Sequence, residues 1–490
     1  MLLNRTKKNK PWLLLIFLLF ALIYSSISLI NHYNFRTFAL DLGMANHAIY
    51  DYAHFRSNIT TLLLDSPPTN FLASHFTLIP MLVSPLYWLF DSYTLLLVQI
   101  LAVLFGGWGI YRYTASRTSS VNLPVLLVLH FFLFTGIYSA LAYDYHDNVV
   151  AAMLVPWFLH YFEKKKLKTA LLFLVLILVS KENMALWAIF LLLGAGAKHF
   201  KDRKLLLYSI GLAVISAVYF VVVTKVVMPA LDTNSRDFAQ LNRYRHLGQT
   251  PAEIVLNLLT QPRLLFEQIF MNTLPDPAYD YIKVELLLVL FLSGGIALLL
   301  RPWYLIMLIP IFAQKFLSSD YKIWGINYQY AVEFAPILTL ALFEALLLLN
   351  NTLKQKRIAT AVVVLTLLTT VVSMHHRKAK WFDKSAVQFF KGRHYRSVYD
   401  TGKMHSALKR IPDGTAVSAQ TALTPHLEER EKLYHYPIIA DAEYVLATKN
   451  EENIYPLTRE EQLHKLDSLR AVPTFNIYYE DEQLVIFRRK

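Results

Sequence analysis

The sequence predicts an α-helical multi-pass membrane protein that ends in a small α/β domain. Three observations predict it. Apolar runs approach the ~20 residues that cross a bilayer, among them Trp12 to Ile30, Leu205 to Val223 and Ile358 to Val372. Of 490 residues, 55% are hydrophobic, and the mean hydropathy is +0.37; soluble domains spread their apolar residues by period rather than in runs. After Met374 the long runs stop and short alternating segments begin, the pattern of a mixed domain.

Charge and cysteine usage narrow the function. The formal net charge is +13. A basic protein often binds nucleic acid, but here the excess sits in short loops beside apolar runs, where it sets orientation. No nucleic-acid partner is expected. The absence of cysteine excludes disulfides, thiolate metal sites and cysteine nucleophiles.

Arg5, Lys7, Lys8 and Lys10 precede Pro11, a residue suited to the first helical position. The run behind it is longer than a signal-peptide core, so it reads as an uncleaved first helix with the N-terminus inside. The polar, aromatic stretch 31–75 then lies outside. Phe71 to Phe90 contains His75, Pro80 and Pro85. A full crossing here would turn Lys164–Lys168 and Lys198–Lys204 outward, against the positive-inside bias, and two prolines oppose a continuous helix. It reads as a re-entrant or surface-lying element.

About eleven crossings follow, at 11–30, 93–112, 122–142, 148–162, 167–180, 183–197, 205–227, 284–300, 302–317, 328–349 and 357–374. The segment 228–283 is a second long outside loop. In it Pro251–Thr260 and Arg263–Phe270 read as amphipathic helices suited to the interface. The odd count places residues 375–490 outside the cytoplasmic membrane as an α/β domain. There Thr415–Ala419 and Tyr444–Ala447 read as buried strands, Arg459–Arg470 as a helix, and Phe475–Tyr479 with Gln483–Phe487 as a hairpin. The chain thus divides into a transmembrane part, 1–374, and an extracytoplasmic part, 375–490.

The loops come in two alternating kinds. One is basic: Lys164–Lys168, Lys198–Lys204, Lys354–Arg357. The other carries Asp, His, Glu, Tyr and Asn: Asp41–Asp51, Tyr143–Asp147, Ser180–Asn183. The residues best suited to chemistry therefore collect on the outer face. Asp41, in an apolar setting near the membrane surface, suits a general base; it also suits the N-cap of a helix through Tyr50. His75 could donate to a phosphate, position an acid, or make a single backbone hydrogen bond. Asp144, His146 and Asp147 crowd one short loop. As a metal set they are incomplete, and helix-capping acids are the other reading. Lys181 and Glu182 end an apolar run, where charge is costly and functional by default. Arg236, with Arg243 and Arg245, offers forks for phosphate oxygens; a solvated basic loop is the other reading. Tyr328 lies in an aromatic stretch fit for the interface. No motif calls for a metal, and no cofactor is specified.

The run Phe38 to Tyr50, Ser74-His75-Phe76, Pro85-Leu86-Tyr87, Gln99, Tyr143 to Asn148, Lys181-Glu182-Asn183, Tyr328 to Pro336, Val417 to Gln420 and Pro425-His426 together resemble an uncharacterised bacterial membrane family, domain of unknown function 2079. That family is similar to the GT-C glycosyltransferases, which transfer sugars from polyprenyl-phosphate carriers. The resemblance implies a GT-C-like fold and a catalytic Asp in the first outside loop, where Asp41 stands. Relatives often pair two acids there; here Leu42 follows Asp41. It also implies a long first outside loop with two surface helices; the expectation is an inverting transferase with a polyprenyl-phosphate-linked sugar and membrane lipids as partners, for which the residues themselves offer His75, Asp144, His146, Lys181, Glu182, Arg236 and Tyr328 as substrate-binding candidates. Two other classes compete. A transporter or flippase would place charges near the bilayer midplane. A non-catalytic scaffold would need no such cluster.

Overall fold

A computed structural model describes residues 2–232, 239–379, 383–449 and 454–490, with backbone alone at 2–10 and 239–241. It is mostly helical, with a small sheet near the C-terminus. Each predicted crossing is helical, several with altered ends. The first helix runs Leu2–Tyr33 and so begins before Pro11. Thr94–Ala115, Asp147–Glu163, Leu167–Ser180, Met184–Lys198, Pro302–Phe316 and Thr352–His375 follow the apolar runs. Among the described residues, five helices are long and apolar enough to cross a bilayer alone, or six if one bent pair counts as a span. The shorter apolar helices Leu167–Ser180, Met184–Lys198 and Phe334–Leu346 pack among them.

Phe71 to Phe90 breaks into short pieces at Phe71–Ser74, Ile79–Val83, Ser84–Leu86 and Tyr87–Phe90. Asp91 ends the path at φ 52. The contiguous part, Ile79 to Phe90, rises about 18 Å, short of the ~30 Å hydrocarbon core. Met81, Leu82, Trp88, Leu89 and Phe90 stay exposed; taken together with the helix that follows, Ile79–Ala115 is long and apolar enough to cross a bilayer.

Two interruptions carry no sequence signal of their own. The predicted 122–142 helix splits into Leu123–Leu133 and Thr135–Leu141, bent by 45°, because Phe134 is extended at ψ 127. The bend lets the chain clear a neighbouring backbone. A Cβ on Gly136 would lie 2.5 Å from the Ala331 carbonyl oxygen. Gly136→Ala is therefore expected to lower the melting temperature of the detergent-solubilised protein, by the ~1–3 kcal/mol of an overpacked site; an unchanged melt would refute that close approach. The predicted 328–349 helix begins only at Phe334, since Tyr328 sits at φ 54 and turns the chain.

Polar and basic loops end at opposite poles of the bundle. At the basic pole Lys198 Nζ lies 2.6 Å from Glu163 and also pairs with Glu344, while Arg117 reaches Glu163 at 3.1 Å. These charges neutralise one another at helix ends, where burial would otherwise be costly.

The C-terminal sheet has the order Leu433–His435, Val417–Ala419, Tyr444–Thr448, Leu484–Arg489, Phe475–Glu480. The first three strands are parallel; the last two form the expected hairpin. The Arg459–Ala471 helix starts with a Thr458/Glu461 capping box. The first polar loop belongs to the same core: Phe35, Met44, Ala48 and Tyr52 pack with Leu408, Val417, Leu446 and Ile486. Residues 31–75 and the sheet thus bury apolar surface together.

Candidate functional site

Asp41 lies in a five-residue π-helical turn, Ala39–Gly43, that leads into the Met44–Ala53 helix. The N-cap is Phe38, so the expectation of Asp41 as a cap is corrected. Its carboxylate instead accepts from outside the helix. Tyr143 Oη donates to Oδ2 at 2.9 Å, and His146 Nε2 lies 3.2 Å from Oδ1. The side chain keeps 28% of its surface, so it remains reachable.

Asp144 holds this turn in place. Its Oδ2 accepts from the N–H groups of Phe38 at 2.8 Å and Leu42 at 3.2 Å, donors that a helix start leaves unpaired. Asp144 is buried and at φ 51, a conformation that Asp tolerates better than most residues. Gln99 fixes the loop from beneath. Its Nε2 donates to the Asp144 carbonyl at 2.9 Å, and its Oε1 accepts from the His146 N–H at 2.8 Å. The C-terminal domain closes the other side. The Ala39 N–H donates to Thr421 Oγ1 at 3.3 Å, and a Cβ on Gly43 would lie 3.2 Å from Thr424 Cγ2. Only a residue without a side chain leaves that seam at its present width.

The two acids diverge electrostatically. Burial raises the Asp41 pKa, but the His146 hydrogen bond and charge, the Tyr143 hydroxyl and the Lys181 charge outweigh it and hold the carboxyl below its ordinary value. Burial and then the Asp41 charge push Asp144 well up, against its two backbone donors. Asp41 is the ionised member and Asp144 the one that carries a proton more readily.

A second acid lies close by. Glu182 is buried; Oε1 lies 3.3 Å from His75 Nδ1, and Oε2 accepts from the Phe76 N–H at 3.1 Å. Burial raises its pKa, yet the charge and hydrogen bond of His75, then Lys181, bring it below the ordinary value. A carboxylate with a lowered folded pKa contributes its full stability above the unfolded value near 4.5, and that contribution is lost as pH falls through the folded value. Glu182→Gln is accordingly expected to cost about 1–3 kcal/mol at neutral pH and to flatten the loss of stability on acidification. Melting curves from about pH 3 to pH 7 check it; parallel pH profiles for the two proteins would contradict it.

Lys181 is the extended residue that ends the Leu167–Ser180 helix. The Lys181 charge acts on Asp41, Asp147 and Glu182 together. Tyr328 packs on Tyr143 with ring centroids 4.3 Å apart, and Tyr143 stacks on His146 at 5.4 Å. Asp41, Asp144, His146, Lys181 and Tyr328 thus meet in one cluster, with His75 and Glu182 as an adjoining pair. Arg236 lies outside the described residues, and Arg243 pairs with Asp320 at 3.4 Å. Among the described residues, no group of three or more His, Asp or Glu side chains is placed to hold a metal ion.

The family described as predicted membrane protein (DUF2079) matches residues 31–485. The chain belongs to this family. No curated protein matches it. In this DUF2079 protein the matched region begins at the first polar loop and runs nearly to the end of the sheet, the two segments that share one core.

Sequence reasoning did not single out Gln99, Tyr143 or Thr421 as positioning groups. Gln99 inside an apolar helix was a usable signal, because a buried amide needs partners. Arg377, two residues beyond the Thr352–His375 helix, was also passed over. It reads as one more basic residue in His375-His376-Arg377-Lys378.

Proposed function

We propose that this DUF2079 protein is a GT-C-like glycosyltransferase, using a polyprenyl-phosphate-linked sugar at the outer face of the cytoplasmic membrane. The observation that carries the reading is Asp41: ionised, partly exposed, and held on two sides by Tyr143 and His146. The orientation rests on the positive-inside rule, which assigns the Lys198 pole to the cytoplasm and the Asp41 pole with the sheet to the outside.

In an inverting transfer the acceptor hydroxyl oxygen bonds to the anomeric carbon as the bond from that carbon to the phosphate oxygen breaks. The hydroxyl proton passes to Asp41, and the polyprenyl phosphate leaves with the electron pair. Asp41, with its low pKa, is a weak base in the ground state. It orients the hydroxyl and takes the proton late, when the forming bond has acidified it. Lys181 supplies positive charge where the leaving phosphate gathers negative charge. Asp144 and Gln99 do no chemistry in this scheme; they hold the turn. The exposed apolar edge Met81–Phe90 beside this loop suits a lipid-borne donor arriving in the membrane plane.

The test is direct. Purified protein in proteoliposomes is given a radiolabelled polyprenyl-phosphate sugar and a cell-envelope acceptor fraction. Transfer of label supports the reading. Equal label transfer by empty liposomes, or translocation of the lipid without sugar transfer, would remove it.

A further inference from the structure

The loop between the apolar stretches Arg203–Leu231 and Pro277–Leu300 carries two short helices, Pro251–Thr260 and Pro262–Phe270, joined at Gln261. Contacts at both ends of the loop fix its place. Asp232 accepts from the Thr69 hydroxyl of the first polar loop at 3.0 Å, and Glu285, in the first turn of the next helix, accepts from the Lys378 N–H at 3.1 Å. Arg301, at the far end of that stretch, donates instead to the Glu344 carbonyl at the Lys198 pole. The helical hairpin therefore lies at the Asp41 pole.

This hairpin is inside out. A helix on a water-soluble protein turns its apolar stripe to the core and its polar face to solvent. Here polar groups turn inward. Asn257 Nδ2 donates to the Leu247 carbonyl at 2.8 Å, and Gln268 is buried while its own carbonyl accepts from Lys283 Nζ at 2.7 Å. Val255, Leu256, Leu259, Leu265, Phe266 and Phe270 are exposed, Leu259 to 77%. The Pro251–Thr260 helix has no buried residue. An exposed apolar face of this kind marks a contact with membrane or with protein.

Two observations favour the membrane. The first is continuity. The stretches on either side leave Val214, Val218 and Val221, and Val284 and Leu288, exposed as lipid-facing residues, and the hairpin joins their ends at one membrane surface. The second is charge. Arg263 pairs with Glu267 at 2.8 Å, and Glu253 accepts from the Gln249 N–H at 2.9 Å. These charges are met within the loop itself, which leaves apolar burial as the term that would seat the face. Lys283 then ties the hairpin to the bundle: its Nζ also donates to the Phe316 carbonyl at 3.2 Å and lies 4.1 Å from the Trp324 ring centre.

We infer that the hairpin 251–270 is inserted into the leaflet on the Asp41 side, its outward face against lipid chains, and so sets the depth at which that pole meets the membrane. This does not rest on the transferase reading.

The sequence has no cysteine, so single substitutions can each carry one nitroxide label without background. Val255→Cys, Leu259→Cys, Phe266→Cys and Arg263→Cys are placed one at a time in the full chain, in phosphatidylcholine nanodiscs holding one copy each. Collisions with oxygen, which concentrates in lipid, are compared with collisions with a water-soluble nickel chelate. Oxygen should lead severalfold at 255, 259 and 266, and the nickel chelate should lead at 263, where the side chain is 91% exposed beside the turn. These positions are exposed, so the substitutions leave the packing intact. Nickel collisions ahead at 255, 259 and 266 would put the face in water and overturn the inference. Shielding from both reagents would put it against protein and do the same, as would a face shielded only in discs holding two copies. Equal ratios at all four positions would remove the assigned face.

Discussion

Asp41→Asn is expected to lower the sugar-transfer rate by about 10²–10⁴-fold, the usual contribution of a positioned acid–base group, while the protein melts within about 1 kcal/mol of wild type. Asn keeps the volume and an oxygen that can accept from Tyr143. What it loses is the negative charge that faces His146 and Lys181 and the ability to take a proton. The fold does not rest on that charge, because the turn bearing Asp41 is held through backbone groups by Asp144. Single-turnover transfer with saturating donor separates this from weakened binding, since a lost base lowers the chemical step rather than raising KM alone. Transfer at the wild-type rate would remove Asp41 from the chemistry.

Asp144 should behave in the reverse manner. Asp144→Ala removes the acceptor for two buried backbone donors, Phe38 and Leu42. Each such loss costs about 1–3 kcal/mol, and the turn that aims Asp41 loses its anchor. Both stability and transfer should fall. Asp144→Asn should be mild, within about 1 kcal/mol, because an amide oxygen can accept the same two bonds. Burial and the neighbouring Asp41 charge already favour the neutral form of Asp144, so a neutral side chain removes little. The paired result is the discriminating one: Asn is harmful at 41 and tolerated at 144, and Ala is harmful to the fold only at 144. Melting curves and transfer rates on the four variants measure it. If Asp144→Asn were as damaging to the fold as Asp144→Ala, a charged role for Asp144 would replace the anchoring one.

The helical architecture was legible because bilayer-length apolar runs and basic loops are local signals. Leu167–Ser180 and Met184–Lys198 fall within a residue of their predicted bounds. The breaks were less legible. Phe134 and Tyr328 are not helix breakers by composition, yet Phe134 is extended at ψ 127 and Tyr328 sits at φ 54. In the C-terminal domain the hairpin was readable from alternation, and a helix was read at Arg459–Arg470, one residue short of its end at Ala471. The strand Leu433–His435 was not read from the sequence.

The sequence by itself determined that this is a membrane protein of many helices, which loops carry titratable groups, and that those loops lie at one end. Composition and charge along the chain suffice for that, because crossing a bilayer constrains every residue of a span. It also pointed to Asp41, Asp144, His146, Lys181 and Glu182 one by one. Only the tertiary structure decided their division of labour. Asp41 and Asp144 are about a hundred residues apart in the chain, and whether a carboxylate faces solvent or backbone N–H groups depends on packing between distant segments. Hydrogen bonds from Phe38 and Leu42 make Asp144 an anchor, and those from Tyr143 and His146 leave Asp41 reachable. No local pattern encodes that difference; it arises from the packing of the first polar loop against the Tyr143–His146 loop.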